Sequence, residues 1–128
     1  MTELIKLIYR LPFISATIHA NGQILHLDKV LLDTGSAGTV FKTVDLEKIG
    51  VLLDTQDVIR EMSGIGGSEY VVEKQVDSLE VGDLRVSPFT IEIGALDYGT
   101  QMDGIIGVDF LLQAGARIDF KTMLLSKG

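Results

Sequence analysis

At 128 residues, 46% hydrophobic and 23% charged, the chain has the size of one compact domain spanning 1–128. Eleven Lys and Arg against eighteen Asp and Glu give a net charge of -7, so there is no basic stripe to neutralise phosphates, which argues against nucleic acid as a partner. The lack of Cys excludes a disulfide framework, a thiolate zinc site and a cysteine nucleophile. A mean hydropathy of +0.32 is high for a small soluble domain and suggests that some apolar surface is covered by a second subunit.

The stretch from Met1 to Ala20 is apolar but interrupted by Lys6, Arg10 and Pro12. It therefore encodes neither an export signal nor a membrane segment, and the expected location is cytoplasmic. Ile5, Leu7, Tyr9 and Leu11 alternate with polar residues and predict a first strand, ended or bent by Pro12. Ile14, Ala16, Ile18 and Ala20 predict a second, followed by Asn21-Gly22, a strong signal for a two-residue hairpin turn. Such a turn sets Ile18 opposite Leu25 and Ala16 opposite Leu27. Turn and pattern then specify the same register.

The third strand runs from Gln23 through Val30-Leu31-Leu32 into Asp33-Thr34-Gly35-Ser36. Thr43 to Ile49 reads as a short helix closed by Gly50. Val58 to Ser63 and Ser68 to Val76 flank Gly64-Ile65-Gly66-Gly67 as a long hairpin with a glycine-rich tip. Two extended runs follow, Gln75 to Val81 and Leu84 to Ile93. Ile105-Ile106-Gly107 then leads into a helical stretch, Asp109 to Gln113, with Gly115 after it, and Arg117 to Phe120 and Met123 to Ser126 form a closing hairpin. The fold class is all-β with one or two short helices.

A carboxylate between an apolar strand and a glycine turn is costly unless donors surround it, and Asp33 stands in that position. Gly35 lets backbone N–H groups approach it, while Thr34 and Ser36 bring hydroxyls. The chain carries its own control: Val30-Leu31-Leu32-Asp33-Thr34 recurs as Val51-Leu52-Leu53-Asp54-Thr55, but the second copy continues with Gln56 in place of glycine. Without that glycine the tight loop is expected to be lost, so Asp54 is read as a surface residue after the short helix and the echo as chance.

Leu32-Asp33-Thr34-Gly35-Ser36, Ile105-Ile106-Gly107, Val108-Asp109-Phe110-Leu111-Leu112 and Ile118-Asp119-Phe120 stand in the order of the active-site blocks of retropepsin-like aspartic proteases, with the Gly64 to Gly67 segment between them. The chain resembles that family over most of its length, and its bacterial single-domain members in particular. The resemblance implies a single-domain acid-protease fold closed into a C2 homodimer, since one Asp-Thr-Gly supplies one carboxylate of the two that such chemistry needs. It implies catalytic roles for Asp33, Thr34 and Gly35, with Thr34 reaching across the two-fold axis and Ser36 bonded to the outer carboxylate oxygen. Substrate contacts are implied for Ser36, Val40 and Ile105, and for Gly64, Ile65, Gly66 and Gly67 of a substrate-covering flap. The implied activity is endopeptidase cleavage of extended polypeptides, without cofactor or metal; the alternative is a peptide-binding or dimerisation module that has kept the fold.

Some members of the family pair an acid near the active-site loop with an Arg after the apolar-apolar-Gly strand, where this chain has Ala37 or Gly38 and Val108. Dimer contacts are then expected from the N-terminal strand and the C-terminal hairpin. His19 and His26 are expected on a solvated hairpin face, because no complete metal-ligand set accompanies them. Asp109 is read as a helix cap, and Asp103 as a loop residue.

Overall fold

A computed structural model describes residues 3–64, 67–96 and 101–128. Its first strands, β1 (Glu3–Leu4), β2 (Lys6–Ile8) and β3 (Leu11–Ala20), divide what the alternation predicted as one strand and its successor. Tyr9 and Arg10, with φ of 51° and 65°, form a two-residue turn that pairs Ile8 with Leu11. Tyr9 is thus a turn residue, 87% exposed, and not a member of one face with Ile5. Neither residue is Gly or Asn, so the turn has no sequence signature. Nor does Pro12 end a strand: β3 passes through it, because the following strand pairs only from Phe13 onward and leaves room for a residue without an N–H.

β3 and β4 (Gln23–Leu32) form the expected hairpin. Asn21 and Gly22 both have positive φ, Ile18 faces Leu25 and Ala16 faces Leu27. β5 (Val40–Lys42) leads into α1 (Thr43–Glu47), whose last turn continues through Ile49 to Gly50 at φ 76°. The long hairpin is β6 (Ile59–Gly64) and β7 (Gly67–Val76), with Gly64 paired to Gly67. Each of the next two predicted runs is divided. Asp77 separates β7 from β8 (Ser78–Val81) as the chain crosses from one part of the sheet to another, and Ser87-Pro88 separates β9 (Leu84–Val86) from β10 (Phe89–Gly94). β11 (Gly104–Ile106), α2 (Val108–Ala114), β12 (Ala116–Asp119) and β13 (Leu124–Lys127) complete the chain.

The protein is mostly β. Ten strands form one sheet in the order β6-β7-β10-β5-β11-β4-β3-β8-β9, with β2 on β3, and β1-β13-β12 form a small second sheet. The main core lies on one face of the large sheet, where Ile14, Ile18, Val30, Leu32, Phe41, Ile91 and Ile106 meet Leu46 of α1, Phe110 of α2 and Leu125 of β13. Phe110 meets Phe89 edge to face, their centroids 5.6 Å apart. Phe13, Val40, Val71, Leu96, Met102 and Ile105 form a second, smaller cluster. Strand alternation makes this the opposite face, since Phe13 and Ile14, Val40 and Phe41, and Ile105 and Ile106 are consecutive residues assigned to different clusters.

Candidate active site

The face on which Asp33 emerges is decided by a bulge. In the first half of β4 the core-facing residues are Leu25 and Leu27; in the second they are Val30 and Leu32. The change of phase occurs where Ser15 of β3 faces two residues, Asp28 and Lys29, between the pairs Ala16 with Leu27 and Ile14 with Val30. Had the alternation continued unbroken, residue 33 would point into the main core. The extra residue turns Asp33 to the other face, beside the small cluster. Asp103 secures the bulge: its carboxylate accepts from the Lys29 N–H at 3.0 Å, and its own N–H donates to the Lys29 carbonyl at 2.6 Å. Asp103 is therefore a structural partner of β4 and not a free loop residue.

β11 inserts between β4, to which it is parallel, and β5, to which it is antiparallel. A Cβ at Gly104 would strike the Phe41 ring and the Val40 carbonyl, which is why the wedge begins with glycine. The ladder continues one step past β4, the Asp33 N–H donating to the Ile106 carbonyl at 3.0 Å. Asp33 is half-buried, and its Oδ1 accepts from the Gly35 N–H at 2.9 Å. The Ser36 N–H returns to the Asp33 carbonyl at 3.1 Å, closing the turn. Thr34 and Gly35 lie exposed at its tip.

Behind the tip, the loop is held by groups that the sequence reading did not connect. Thr39, fully buried, donates its hydroxyl to Asp109 Oδ1 at 2.7 Å and accepts from the Gly107 N–H at 3.1 Å, while its own N–H donates to Asp109 Oδ2 at 3.2 Å. Asp109 is not the cap of α2: Gly107 holds that position, and the carboxylate reaches across to Thr39. A Cβ at Gly107 would collide with the backbone of Gly38 and Ser36, so glycine is required for this close approach. Thr39 and Asp109 thus tie the loop to α2. Hydroxyl–carboxylate complementarity across 70 residues leaves no mark in a local pattern.

Ser36 differs from its implied role, for its hydroxyl donates to the Gly38 carbonyl at 2.8 Å, a nearby acceptor within the same loop, rather than to the carboxylate. Val40 and Ile105 lie next to each other across the β5–β11 ladder, but they are 0% and 4% exposed, packed inside the small cluster rather than open to a ligand in the single chain. Gly64 and Gly67 sit at the end of the β6–β7 hairpin; Ile65 and Gly66 lie outside the described residues. Tyr70, paired with Glu61 on that hairpin, is 71% exposed. The two histidines are engaged elsewhere, His19 with Glu80 at 3.2 Å and His26 with Thr17 and Asp28.

The register also aligns a lateral row on the face shared by Asp33: Leu31, Ile105, Val40, Glu92 and Glu73 are successive partners across β4, β11, β5, β10 and β7. Glu92 is the exception in its apolar middle. Burial pushes its carboxyl above the ordinary value of 4.5, an effect opposed by Arg60 and reinforced by Asp109 and Glu73.

A β-sheet that presents one Asp-Thr-Gly turn, wedged by an Ile-Ile-Gly strand leading into a helix, has the arrangement of an acid-protease fold. A family model described as aspartyl protease matches residues 14–110, from β3 into α2, and the chain belongs to that family. No curated protein matches it. Among the described residues, no helix is long and apolar enough to cross a membrane.

Proposed function

We propose that the protein is an aspartic endopeptidase whose active unit is a C2 homodimer, with the two Asp33 carboxylates meeting on the axis. The observation that carries this reading is the placement of Asp33: bonded to Gly35, half-buried, turned away from the main core, with Thr34 and Gly35 exposed beyond it. One such carboxylate has no partner with which to share a proton. Two brought within about 3 Å cannot both ionise, so one carries the proton while the other, ionised, accepts from a water held between them.

The ionised Asp33 takes a proton from that water as its oxygen attacks the peptide carbonyl. The protonated Asp33 donates to the carbonyl oxygen, giving a neutral tetrahedral diol. Collapse of the diol breaks the C–N bond, and a proton passes to the departing nitrogen, leaving an acid and an amine. In this reading the Thr34 hydroxyls, exposed on each chain, bond across the axis. The β6–β7 hairpin covers an extended substrate, whose backbone it and the neighbouring loops read by hydrogen bonds. The exposed apolar side chains Leu4, Leu7 and Phe120, on or beside the strands of both termini, support these segments as the subunit interface.

The test is incubation of the purified protein and its Asp33→Ala variant with a broad peptide library, from acidic to neutral pH. Cleavage by the wild type alone, strongest toward mildly acidic pH, is expected. Equal cleavage by both proteins would reject the reading. Peptide binding without turnover by the wild type, retained in Asp33→Asn, would make the protein a binding module.

A further inference from the structure

A buried carboxylate with no part in the proposed reaction lies behind the active-site loop. The side chain of Glu92 is 10% exposed; Oε1 accepts from Arg60 Nη2 at 3.2 Å, and Oε2 is buried without a partner among the described residues. A Cβ at Gly38 would collide with Oε1, so the carboxylate rests directly against the backbone that follows Asp33. The Glu92 N–H donates to the Thr39 carbonyl at 2.8 Å, and Thr39 is the residue that holds Gly107 and Asp109. Glu92 is therefore in contact with the loop through both side chain and main chain.

Its other contact leads to the hairpin. Arg60 stands on β6, at the edge of the large sheet, where the strand order gives it β7 as its neighbour. Its guanidinium bonds Glu73 of β7 at 2.9 Å through Nε, and Glu92 of β10 through Nη2. The bond to Glu73 stays within the hairpin; the bond to Glu92 joins β6 to the strand behind the Asp33 loop. The backbone ladder between β7 and β10 runs only from Val72 to Val76, so the hairpin's outer part lies beyond it. A cavity of about 390 Å³ is lined by Gln56, Asp57, Val58, Arg60 and Glu73.

An apolar side chain in the row of Val40 and Ile105 would fill this position without the cost of burying a charge, so the carboxylate suits a role other than packing. We propose that Glu92 is a positioning residue that couples the β6–β7 hairpin to the Asp33 loop through Arg60, holding the hairpin when ionised and releasing it when protonated. This rests on the proposed endopeptidase reading, in which the hairpin covers substrate. The groups facing Glu92 are Arg60 from β6, Glu73 from β7 and Asp109 from α2; its β5 partner, Val40, is uncharged. Burial, opposed by Arg60 and reinforced by the two acids, raises its protonation above the ordinary 4.5.

The experiment compares the wild type, Glu92→Gln and Arg60→Gln by amide hydrogen exchange of β6 at neutral and mildly acidic pH, corrected for intrinsic rates and referred to β3 and β4. KM and kcat are measured on the same samples. The amide introduced by Glu92→Gln keeps the shape of the protonated acid and so mimics the released state without a cavity. For an ion pair with a half-exposed guanidinium, β6 protection in the wild type should fall roughly two- to five-fold on acidification. KM should rise in parallel, with kcat less affected. Both variants should show the lower protection at both pH values and a flat KM profile. Wild-type protection and pH response in Glu92→Gln would overturn the proposal. The exchange pattern without peptide cleavage would support the tether and reject the endopeptidase reading; cleavage with unchanged exchange in Glu92→Gln would reject the tether alone.

Discussion

Replacing Thr39 with Val removes one hydroxyl and little volume from the joint between the Asp33 loop and α2. Thr39 is 0% exposed, so water does not replace what is lost. Two bonds disappear, the donation to Asp109 Oδ1 at 2.7 Å and the acceptance from the Gly107 N–H at 3.1 Å. The first is assisted by charge and worth about 1.5–3 kcal/mol, and the stranded N–H costs about 1–3 kcal/mol more, with the remaining Thr39 N–H bond to Asp109 limiting the damage. A loss of about 3 kcal/mol is expected, a large share of the roughly 5–15 kcal/mol that stabilises a domain. In urea, with a slope of about 1.5 kcal/mol per molar, the midpoint should fall by about 2 M. Protein concentration must be held constant, because subunit association contributes to the apparent stability. Thr39→Ser keeps the hydroxyl and should lose only about 1 kcal/mol for its missing methyl. If Thr39→Val unfolds within about 0.5 kcal/mol of the wild type, Thr39 does not hold the loop in the way described.

Gly107→Ala forces a methyl group into the Gly38 and Ser36 backbone, and peptidase activity should fall at least as steeply as stability, measured by turnover and urea midpoint together. Deleting Lys29 closes the bulge, since Ser15 then faces Asp28 alone and Ile14 still faces Val30, so Leu32 and Asp33 keep their faces; the protein should fold but lose the two Asp103 bonds to Lys29, and a urea midpoint equal to that of the wild type would refute the role given to Asp103. Asp57 is held below its ordinary value of 3.8, chiefly by Lys74 at 2.6 Å and then by the Asp54 backbone. Its stabilisation is present above pH 3.8 and lost as pH falls through the lower folded-state value, so Asp57→Asn should lose less stability than the wild type during acid titration followed by circular dichroism.

Where local chemistry determines structure, the sequence is readable. Asn21-Gly22 dictates its turn, and the register of Ile18 with Leu25 follows from it. The repeated Val-Leu-Leu-Asp-Thr segment shows both the strength and the limit of such reading. Asp33 Oδ1 accepts from the N–H of Gly35, and Asp54 Oδ1 from that of Gln56, each at 2.9 Å, so the two copies make the same local turn. Their surroundings differ: Asp33 is bonded to Ile106 of β11, whereas Asp54 is exposed after α1.

What was not legible depends on distant partners. The phase change at Asp28-Lys29 has a faint signal, two polar residues together in an alternating strand, but its meaning comes from Ser15 opposite and from Asp103. Glu92 reads as an ordinary polar position in a strand, and its burial follows from Arg60 and Gly38 being folded against it. Tyr9-Arg10 adopts a turn that its residues do not favour, imposed by the pairing of β2 with β3. The burial of Val40 and Ile105 likewise depends on distant residues, since they share a cluster with Phe13, Val71, Leu96 and Met102.

The shared-carboxylate mechanism is tested most directly by mixing. Wild-type protein is equilibrated with a nine-fold excess of Asp33→Asn chains, and peptide cleavage is followed at constant wild-type concentration. If both Asp33 residues of a dimer are needed and subunits exchange freely, random pairing leaves roughly a tenth of the starting activity. Undiminished activity, with mixed dimers demonstrated by mass spectrometry, would show that one Asp33 suffices and would contradict the proposed dyad.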